Sequence, residues 1–380
     1  MAISSDKGKI FAAVGAATGL GNAFRFPAMC VKYGAAFIIA YAVVLLSFCF
    51  PLLCAELSIG KNGVEKHPAV WKFIALAAAC NSLFIAIYYG SVCYKLGFSA
   101  LSFAFFGDIN GRGIITFVLA ALPLAAVFFI LCGKERAIAR SGKISVASSF
   151  ALFTVLAVRG IIKGGVFTSL NLSSLAAGEI WQNALGQALL SLSLAAGVMP
   201  AFAKTLPKNF SVPRSAAAIT FFNFAGCVAV AAGVLPFAEG CREGGLSAAL
   251  FVFPRLIYSF GSFSPVIGFL VFSVLATVGV HSMCALATPA LSPLVKRYGV
   301  RAPFIFCVLS MALVPLMLTG GRAVLNFADY LACSVFAVGI ACAECLFFLS
   351  LLFGRIRAKG RALKNFLPTH KIFTNFDIFI

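Results

Sequence analysis

Long apolar runs dominate the chain, and short polar stretches separate them. Ten of these runs are long enough to cross a bilayer as helices, which takes about 20 residues. We predict spans at approximately 8–31, 35–59, 70–106, 113–132, 144–163, 178–203, 213–236, 262–291, 302–319 and 323–354. The third and tenth spans exceed a perpendicular crossing, so we expect them to tilt or to project beyond the bilayer. The shorter, glycine-interrupted stretch at 237–260 predicts a re-entrant or lid hairpin on the outer side.

The composition supports the same class of protein. Of the 380 residues, 62% are hydrophobic and only 11% are charged, whereas soluble domains are about one quarter charged. We therefore predict an all-α polytopic membrane protein with its helices in the lipid bilayer of the cell (inner or plasma) membrane. The N-terminus is short and runs straight into the first span, so no cleavable signal is expected.

The basic residues lie in alternate loops. The net charge of +19 could suggest a nucleic-acid partner, but the Lys and Arg residues cluster at 7–9, 61–72, 134–143, 204–214, 296–301 and 355–364. The intervening loops hold few of them, which is the positive-inside pattern and places both termini in the cytoplasm. We expect no nucleic-acid partner, a single transmembrane domain over residues 1–354 and a basic cytoplasmic tail over residues 355–380.

The first apolar run contains residues that a helix in lipid should avoid. Residues 15–27 read GAATGLGNAFRFP, with three glycines, an asparagine, an arginine and a proline. Unpaired backbone at membrane depth is tolerated only within protein or against a cavity. We therefore predict a broken helix whose freed carbonyl and amide groups bind a ligand. The alternative is a glycine-rich packing face, which accounts for the glycines but not for Asn22 and Arg25.

A second interruption is predicted in the sixth span, at residues 191–197 within the sequence GQALLSLSLAAG. Ten spans divide into two groups of five, at approximately 8–163 and 178–354. Because five is odd, the second group is inverted relative to the first. The first helix of each group carries an interruption, and matching interruptions indicate a binding site near the middle of the membrane.

These motifs resemble a known family. The sequence GLGNAFRFP at 19–27 resembles the first helix of the neurotransmitter:sodium symporter family, in its bacterial amino-acid transporter branch with the leucine-transporter fold. GQALLSLSLAAG resembles the family's sixth-helix signature, and FIAIYYG at 84–90 resembles its third helix. The resemblance implies a symporter that moves an amino acid, or a related small carboxylated amine, by alternating access. It implies sodium, or alternatively a proton, as coupling ion, and no organic cofactor.

By this resemblance, one sodium ion would contact the Ala17 carbonyl, the Asn22 side chain and the hydroxyl and carbonyl of Ser191. The family completes the site with a polar residue of the seventh helix. The register places Ala218 at that position and leaves Asn223 nearby but out of register.

A second ion would lie between the first and eighth helices. The resemblance assigns the carbonyls of Gly15, Thr18 and Val278 to it, together with Ser282. His281 stands where the family has Thr, Ser or Asp, and an imidazole nitrogen is a poor ligand for sodium. Histidine titrates near physiological pH, so a proton on His281 could replace this ion. Alternatively, the register is slipped by one turn, or His281 is hydrogen-bonded within the core.

The substrate would bind at the first interruption. Amide groups at a helix end suit a carboxylate, and the resemblance places Ala17, Gly19 and Gly21 along its approach and the Tyr89 hydroxyl against it. Ser193 would receive the ammonium group. Monoamine carriers have Asp at the position of Gly19, so its absence favours a substrate with its own carboxylate. The positions expected to face the side chain of the substrate are Ile85, Leu190, Ala196 and Leu286.

The resemblance also predicts two gates. Arg25 and Asp329 would form an outer ion pair that stays wet and opens easily, or alternatively a static structural pair. On the inner side, Ile3 stands at the family's Trp position and Lys296 at its Asp position. A swapped pair of Asp6 and Lys296 is conceivable there.

The remaining polar residues indicate structure rather than chemistry. Glu56 and Glu344 match acidic positions of the family, and a buried carboxylate in a membrane is expensive unless it is paired. The 13 cysteines lie mostly in apolar runs, so Cys342 and Cys345 predict packing rather than a disulfide or metal site. The sequence contains no HExxH motif, nucleophile elbow or paired carboxylates in a cleft, so we do not expect an enzyme. A receptor-like or transport-inactive relative that binds an amino acid is the alternative.

Overall fold

A computed structural model describes residues 19–64, 68–111, 113–164, 172–206, 210–238, 245–315 and 322–366. All regular structure in these ranges is helical. The helices are α1 (Phe26–Tyr33), α2 (Ala36–Asn62), α3 (Pro68–Phe106), α4 (Ile114–Cys132), α5 (Lys134–Lys163), α6 (Gly178–Ser191), α7 (Val198–Ala203), α8 (Val212–Val234), α9 (Gly245–Tyr258), α10 (Ser264–Tyr298), α11 (Arg301–Ala312), α12 (Arg322–Asp329) and α13 (Ala337–Phe366). Wider π-helical turns at Gly21–Arg25 and Tyr330–Phe336 lead into α1 and join α12 to α13.

Seven helical stretches in the described part of the chain are long and apolar enough to cross a membrane. They match seven of the predicted spans and make the protein an all-α multi-pass membrane protein. The predicted spans at 8–31 and 302–319 run into residues outside the described ranges, and the one at 178–203 is divided between α6 and α7. The ten-span count and the inverted repeat therefore stay predictions.

Helix boundaries depart from the predicted spans where the sequence becomes charged. α5 begins at Lys134 rather than near residue 144, and α13 continues to Phe366 beyond the predicted end at 354. Lys, Arg and Glu are good helix formers, so a helix continues after its apolar run ends. Hydrophobicity marked the extent of the apolar segment, whereas propensity and capping decide where the helix stops.

The stretch predicted as a hairpin contains one helix in its described part. That helix is α9, which packs on the π-helical turn before α1 through the rings of Phe253 and Phe24, with centroids 5.6 Å apart. Residues 239–244 lie outside the described ranges. The Tyr258 hydroxyl at the end of α9 donates to Asp108 at 2.5 Å. This hydrogen bond lowers the pKa of the Asp108 carboxyl and ties α9 to the segment after α3.

The core of the molecule is built around α3 and α10, which pack along each other. Phe103 of α3 stacks on Phe272 of α10 with ring centroids 5.8 Å apart. Near the middle of α10, Gly279 lies very close to α3 and to the start of the first helix. A Cβ at this position would come within 2.6 Å of Cys93 and 3.2 Å of Leu20. This close packing brings the start of the first helix against both long helices, where several of the predicted site residues lie.

Candidate functional site

The chain between α6 and α7 is not helical. Residues 192–197 form consecutive turns, and Ser193, Ala195 and Gly197 have φ angles of 53°, 52° and 69°. Glycine adopts this left-handed conformation freely, but a residue with a Cβ does so at a cost of about 1–2 kcal/mol. Two such residues in one turn are typical of backbone held in place for function.

Glu56 of α2 holds this segment. Its carboxylate accepts a hydrogen bond from the Ala195 backbone N–H at 2.8 Å, and the side chain is fully buried. Glu344 of α13 lies near this carboxyl group and is also buried, at 1% exposed. This arrangement agrees with the structural role predicted for both residues.

Four buried side chains form what we call the amide cluster: Asn22, Tyr41, Ser191 and Asn223. Asn22 donates from Nδ2 to Asn223 Oδ1 at 2.8 Å, and Asn223 donates from its own Nδ2 to Tyr41 Oη at 2.7 Å. Asn223 Nδ2 also donates to Ser191 Oγ at 3.2 Å, and Ser191 shares a 2.8 Å hydrogen bond with Tyr41. Each side chain is at most 1% exposed. The cluster brings neutral oxygen atoms from four chain segments to one point.

The amide cluster contains Asn223, which the register argument had placed out of position. Asn223, rather than Ala218, is the residue of α8 that reaches Asn22 and Ser191. Tyr41 was also missed. A polar residue within an apolar spanning helix usually marks function, and that signal alone would have selected Asn223 over the register argument. Ala17, the remaining predicted ligand, lies outside the described residues.

The predicted outer gate residues do meet, within a larger cluster. Arg25 donates from Nε to Asp329 Oδ2 at 3.0 Å, from Nη2 to Ser334 Oγ at 3.0 Å and from Nη1 to Gln187 Oε1 at 3.4 Å. The Tyr88 hydroxyl donates to the other carboxylate oxygen of Asp329 at 3.1 Å. We call these five residues the gate cluster.

The gate cluster is buried, which contradicts the expectation of a wet ion pair. The side chains of Arg25 and Asp329 are 2% and 8% exposed. A buried ion pair needs excellent geometry and further hydrogen bonds to offset its desolvation. Gln187, Ser334 and Tyr88 supply those bonds, and none of the three was predicted to take part.

Of the residues predicted to form the second ion site, Ser282 and Val278 lie in the described part of the chain. The Ser282 hydroxyl accepts a hydrogen bond from the Leu20 N–H at 3.3 Å and donates to the Val278 carbonyl at 2.9 Å. Gly19 lies so close that a Cβ would come within 2.7 Å of Ser282 Oγ. α10 therefore meets the start of the first helix at this serine. Gly15 and Thr18, the other predicted ligands, lie outside the described residues.

The His281 side chain packs against α5, whereas Ser282 contacts the start of the first helix. Its Nδ1 shares a 3.0 Å hydrogen bond with the Ser141 hydroxyl of α5, and its ring packs on Gly142. Its Nε2 is buried with no partner among the described protein groups. Of the interpretations left open by the sequence, this geometry agrees with a histidine hydrogen-bonded within the core.

A small cavity lies between α3, the α6–α7 break and α10. Five of the predicted substrate-binding residues line it: Ile85, Leu190, Ser193, Ala196 and Leu286. The other lining residues are Asn81, Leu189, Leu194, Cys333 and Ala337. Sequence reasoning missed Asn81, although an asparagine one turn before Ile85 on the same face of α3 was a visible signal.

The predicted carboxylate-binding residues lie beside this cavity rather than on its lining. Tyr89 is 2% exposed, and its hydroxyl has no hydrogen-bond partner among the described protein groups. Gly21 packs against Leu190, where a Cβ would come within 3.2 Å, and its carbonyl accepts a hydrogen bond from Gln187 Nε2 at 3.1 Å. Gly19 contacts Ser282, as described above, and Ala17 is outside the described residues.

A buried ion pair, a cluster of neutral oxygen atoms and a small cavity thus lie at or beside irregular helix segments of a multi-pass membrane protein, an arrangement typical of transporters of small molecules. A model of the Sodium:neurotransmitter symporter family matches residues 4–106 and 94–358. The chain belongs to this family, which confirms the resemblance predicted from its motifs.

Individual relatives are distant. An uncharacterized sodium-dependent transporter of Methanocaldococcus jannaschii is 25% identical over 87% of this chain and 77% of its own length. The sodium-dependent neutral amino acid transporter B(0)AT2 of rat is 24% identical over 57% of this chain and 37% of its own length. Human B(0)AT3, described as an inactive sodium-dependent neutral amino acid transporter, is 26% identical over 56% and 43%. The chain thus spans less than half of either mammalian relative.

The crystal structure of MhsT in complex with L-phenylalanine is similar in fold. It superposes with a TM-score of 0.78 at 22% identity, covering 90% of this chain and 89% of MhsT. At this identity the likeness establishes the fold alone.

Proposed function

We propose that the protein is a sodium-coupled symporter that carries a neutral amino acid across the membrane by alternating access. The observation that carries the proposal is the shared use of one backbone segment. Ser191, the last residue of α6, belongs to the amide cluster, and Ser193, two residues later, lines the cavity. An ion at the first and a substrate at the second would order the same turn, so each would favour binding of the other.

The amide cluster suits a monovalent cation. Its oxygen atoms belong to neutral amide and hydroxyl groups, which can coordinate one positive charge without a carboxylate. No Lys or Arg belongs to the cluster, so no side chain of the cluster would repel the ion. Asn22, Ser191 and Asn223 would hold one sodium ion, with the Ala17 carbonyl as a further ligand. The Ser282 hydroxyl and Val278 carbonyl would contribute to a second ion, with the carbonyls of Gly15 and Thr18.

We favour sodium over a proton at this second site. The proton alternative requires His281 to face the first helix, whereas its hydrogen bond runs to Ser141 of α5. The names of the relatives, which include sodium-dependent transporters of neutral amino acids, support the same choice.

The substrate carboxylate would meet the unpartnered Tyr89 hydroxyl, beside Gly19 and Gly21. The ammonium group would lie near Ser193, and the side chain would occupy the cavity. Closure of Arg25 on Asp329 would then seal the outer side. We place the two predicted five-helix groups in opposite orientations, with both termini in the cytoplasm.

Uptake by the protein reconstituted into liposomes tests this proposal. An amino-acid panel is offered with sodium and proton gradients imposed separately. We expect concentrative uptake driven by sodium at equal pH, lost in Ser282→Ala and retained in His281→Thr. Uptake driven by protons alone, and abolished in His281→Thr, would contradict sodium coupling.

The second candidate function is amino-acid binding without transport. One relative, human B(0)AT3, is described as an inactive transporter, which supports considering this candidate. Sodium-dependent equilibrium binding of an amino acid, with no concentrative uptake in the same preparation, would select this function over symport.

A further inference from the structure

We propose that Asn81 determines specificity, by selecting neutral amino acids whose long side chain ends in a hydrogen-bond donor. This inference rests on the proposed function and names the substrate class. Glutamine, tyrosine and tryptophan belong to the class, whereas leucine, methionine and phenylalanine do not.

The orientation of the Asn81 amide is fixed by its neighbour. Its Nδ2 donates to the Ala332 carbonyl of the π-helical turn after α12 at 3.1 Å. A carbonyl can only accept, so the opposite orientation would set two oxygens against each other. The amide oxygen Oδ1 therefore points away from Ala332. It is buried without a hydrogen-bond partner among the described protein groups, in a residue that is 7% exposed.

The cavity offers little else to satisfy this oxygen. Of its ten lining residues, Asn81 and Ser193 are polar, and the other eight are seven apolar side chains and Cys333. The Cys333 thiol already donates to Asp329 at 3.6 Å. A buried acceptor without a donor is costly. A ligand that brings a donor to the cavity removes this cost, and a ligand of the same shape without one does not.

The position of Asn81 sets the length of the side chain. Asn81, Ile85 and Tyr89 follow one another at intervals of four residues on one face of α3, so the Cα atoms of Asn81 and Tyr89 are about 12 Å apart along the axis. Side chains on a helix lean toward its N-terminus, so the Tyr89 side chain extends toward Asn81 and shortens this gap. With the substrate carboxylate at Tyr89, the side chain runs past Ile85 toward Asn81. Alanine, serine and threonine are too short to reach it.

The charge of the cavity excludes basic side chains. None of its ten lining residues is charged, so an ammonium or guanidinium group would be buried there without a counter-ion. The donor must therefore be neutral, such as an amide, a phenol or an indole N–H.

Competition binding with pairs of near-isosteric amino acids tests the proposal. The reconstituted protein, in sodium, is titrated with tyrosine against phenylalanine and with glutamine against methionine. We expect the donor-bearing member of at least one pair to bind about tenfold more tightly. This wild-type comparison needs no variant and so is independent of folding.

Two variants sharpen the result. Asn81→Leu keeps the approximate volume and removes the acceptor, so the preference should fall to about onefold or reverse. Ser99→Ala is the matched control, because Ser99 lies on α3, is fully buried, and has a hydroxyl without a described protein partner away from the cavity. Its tyrosine-to-phenylalanine ratio should equal that of the wild type.

The outcomes separate this inference from the proposed function. If amino acids bind but both pairs show ratios near one in the wild type, or if Asn81→Leu keeps the wild-type preference, the role of Asn81 is refuted and the symporter proposal stands. If no amino acid of the panel binds in sodium, the proposed function is refuted and this inference falls with it.

Discussion

The gate cluster and the amide cluster begin on the same turn of the chain but use opposite chemistry. Arg25 and Asn22 are three residues apart in the π-helical turn Gly21–Arg25, and both are buried. Arg25 meets a carboxylate at 3.0 Å, whereas Asn22 meets another amide at 2.8 Å. One cluster thus consists of paired full charges, and the other of neutral dipoles.

A coupled transporter must close over its substrate and must bind its ion reversibly, and the two clusters differ in the chemistry that suits each task. Breaking a buried ion pair leaves uncompensated charge, so the gate cluster favours either a fully closed or a fully hydrated arrangement. Neutral amides and hydroxyls leave room for an added positive charge, so under the proposed function the amide cluster would bind a cation and release it.

Gln187 of the gate cluster lies close to the amide cluster along the chain. Its Nε2 donates to the Gly21 carbonyl and its Oε1 accepts from Arg25, while Ser191 of the amide cluster lies one turn further along α6. An ion that orders the end of α6 would therefore also position the partners of Arg25. We expect sodium binding to favour closure of the gate through this short connection.

The largest effect should follow from Asp329→Asn. The substitution preserves shape but leaves the Arg25 guanidinium buried without a counter-charge, which costs about 3–5 kcal/mol of unfolding free energy. Thermal unfolding of the detergent-solubilised protein should detect this loss, and uptake should be abolished.

The double variant Arg25→Met with Asp329→Leu provides the matched control. Replacing both charges by apolar groups should recover most of the stability, because the desolvation cost disappears with the charges. Uptake should remain absent, since the gate can no longer close on a charged pair. Equal stability of Asp329→Asn and the wild type would show that the pair is not buried in the working protein.

A smaller effect, confined to the ion, should follow from Asn223→Leu. The substitution removes an oxygen and three hydrogen bonds from the amide cluster, so we expect the sodium concentration for half-maximal substrate binding to rise by about tenfold or more. Ala218→Leu, on the same helix, should leave it unchanged. The opposite ranking of the two variants would restore the register predicted from the sequence.

The gate cluster, the amide cluster and the cavity show how much of the candidate site could be predicted from the sequence. The pairing of Arg25 with Asp329 and five cavity residues were predicted because motif residues lie at fixed positions within helices. Asn223 was placed out of register and Tyr41 was missed, because the sequences of α8 and α2 carry no motif that fixes which residues face the first helix. The burial of the gate could not be predicted, since it depends on Gln187, Ser334 and Tyr88 from three other segments.

The smallest and sharpest test compares two adjacent tyrosines of α3. The Tyr88 hydroxyl donates to Asp329, whereas the Tyr89 hydroxyl has no described protein partner and is proposed to bind substrate. Tyr88→Phe should lower the unfolding free energy by about 1.5–3 kcal/mol, the usual contribution of a hydrogen bond to a charged group, and leave substrate affinity nearly unchanged. Tyr89→Phe should leave stability unchanged and weaken substrate binding about tenfold. Thermal unfolding and equilibrium binding of the two variants, measured side by side, decide the matter. If both phenylalanine variants lose stability and neither loses affinity, Tyr89 belongs to the core and the carboxylate binds elsewhere.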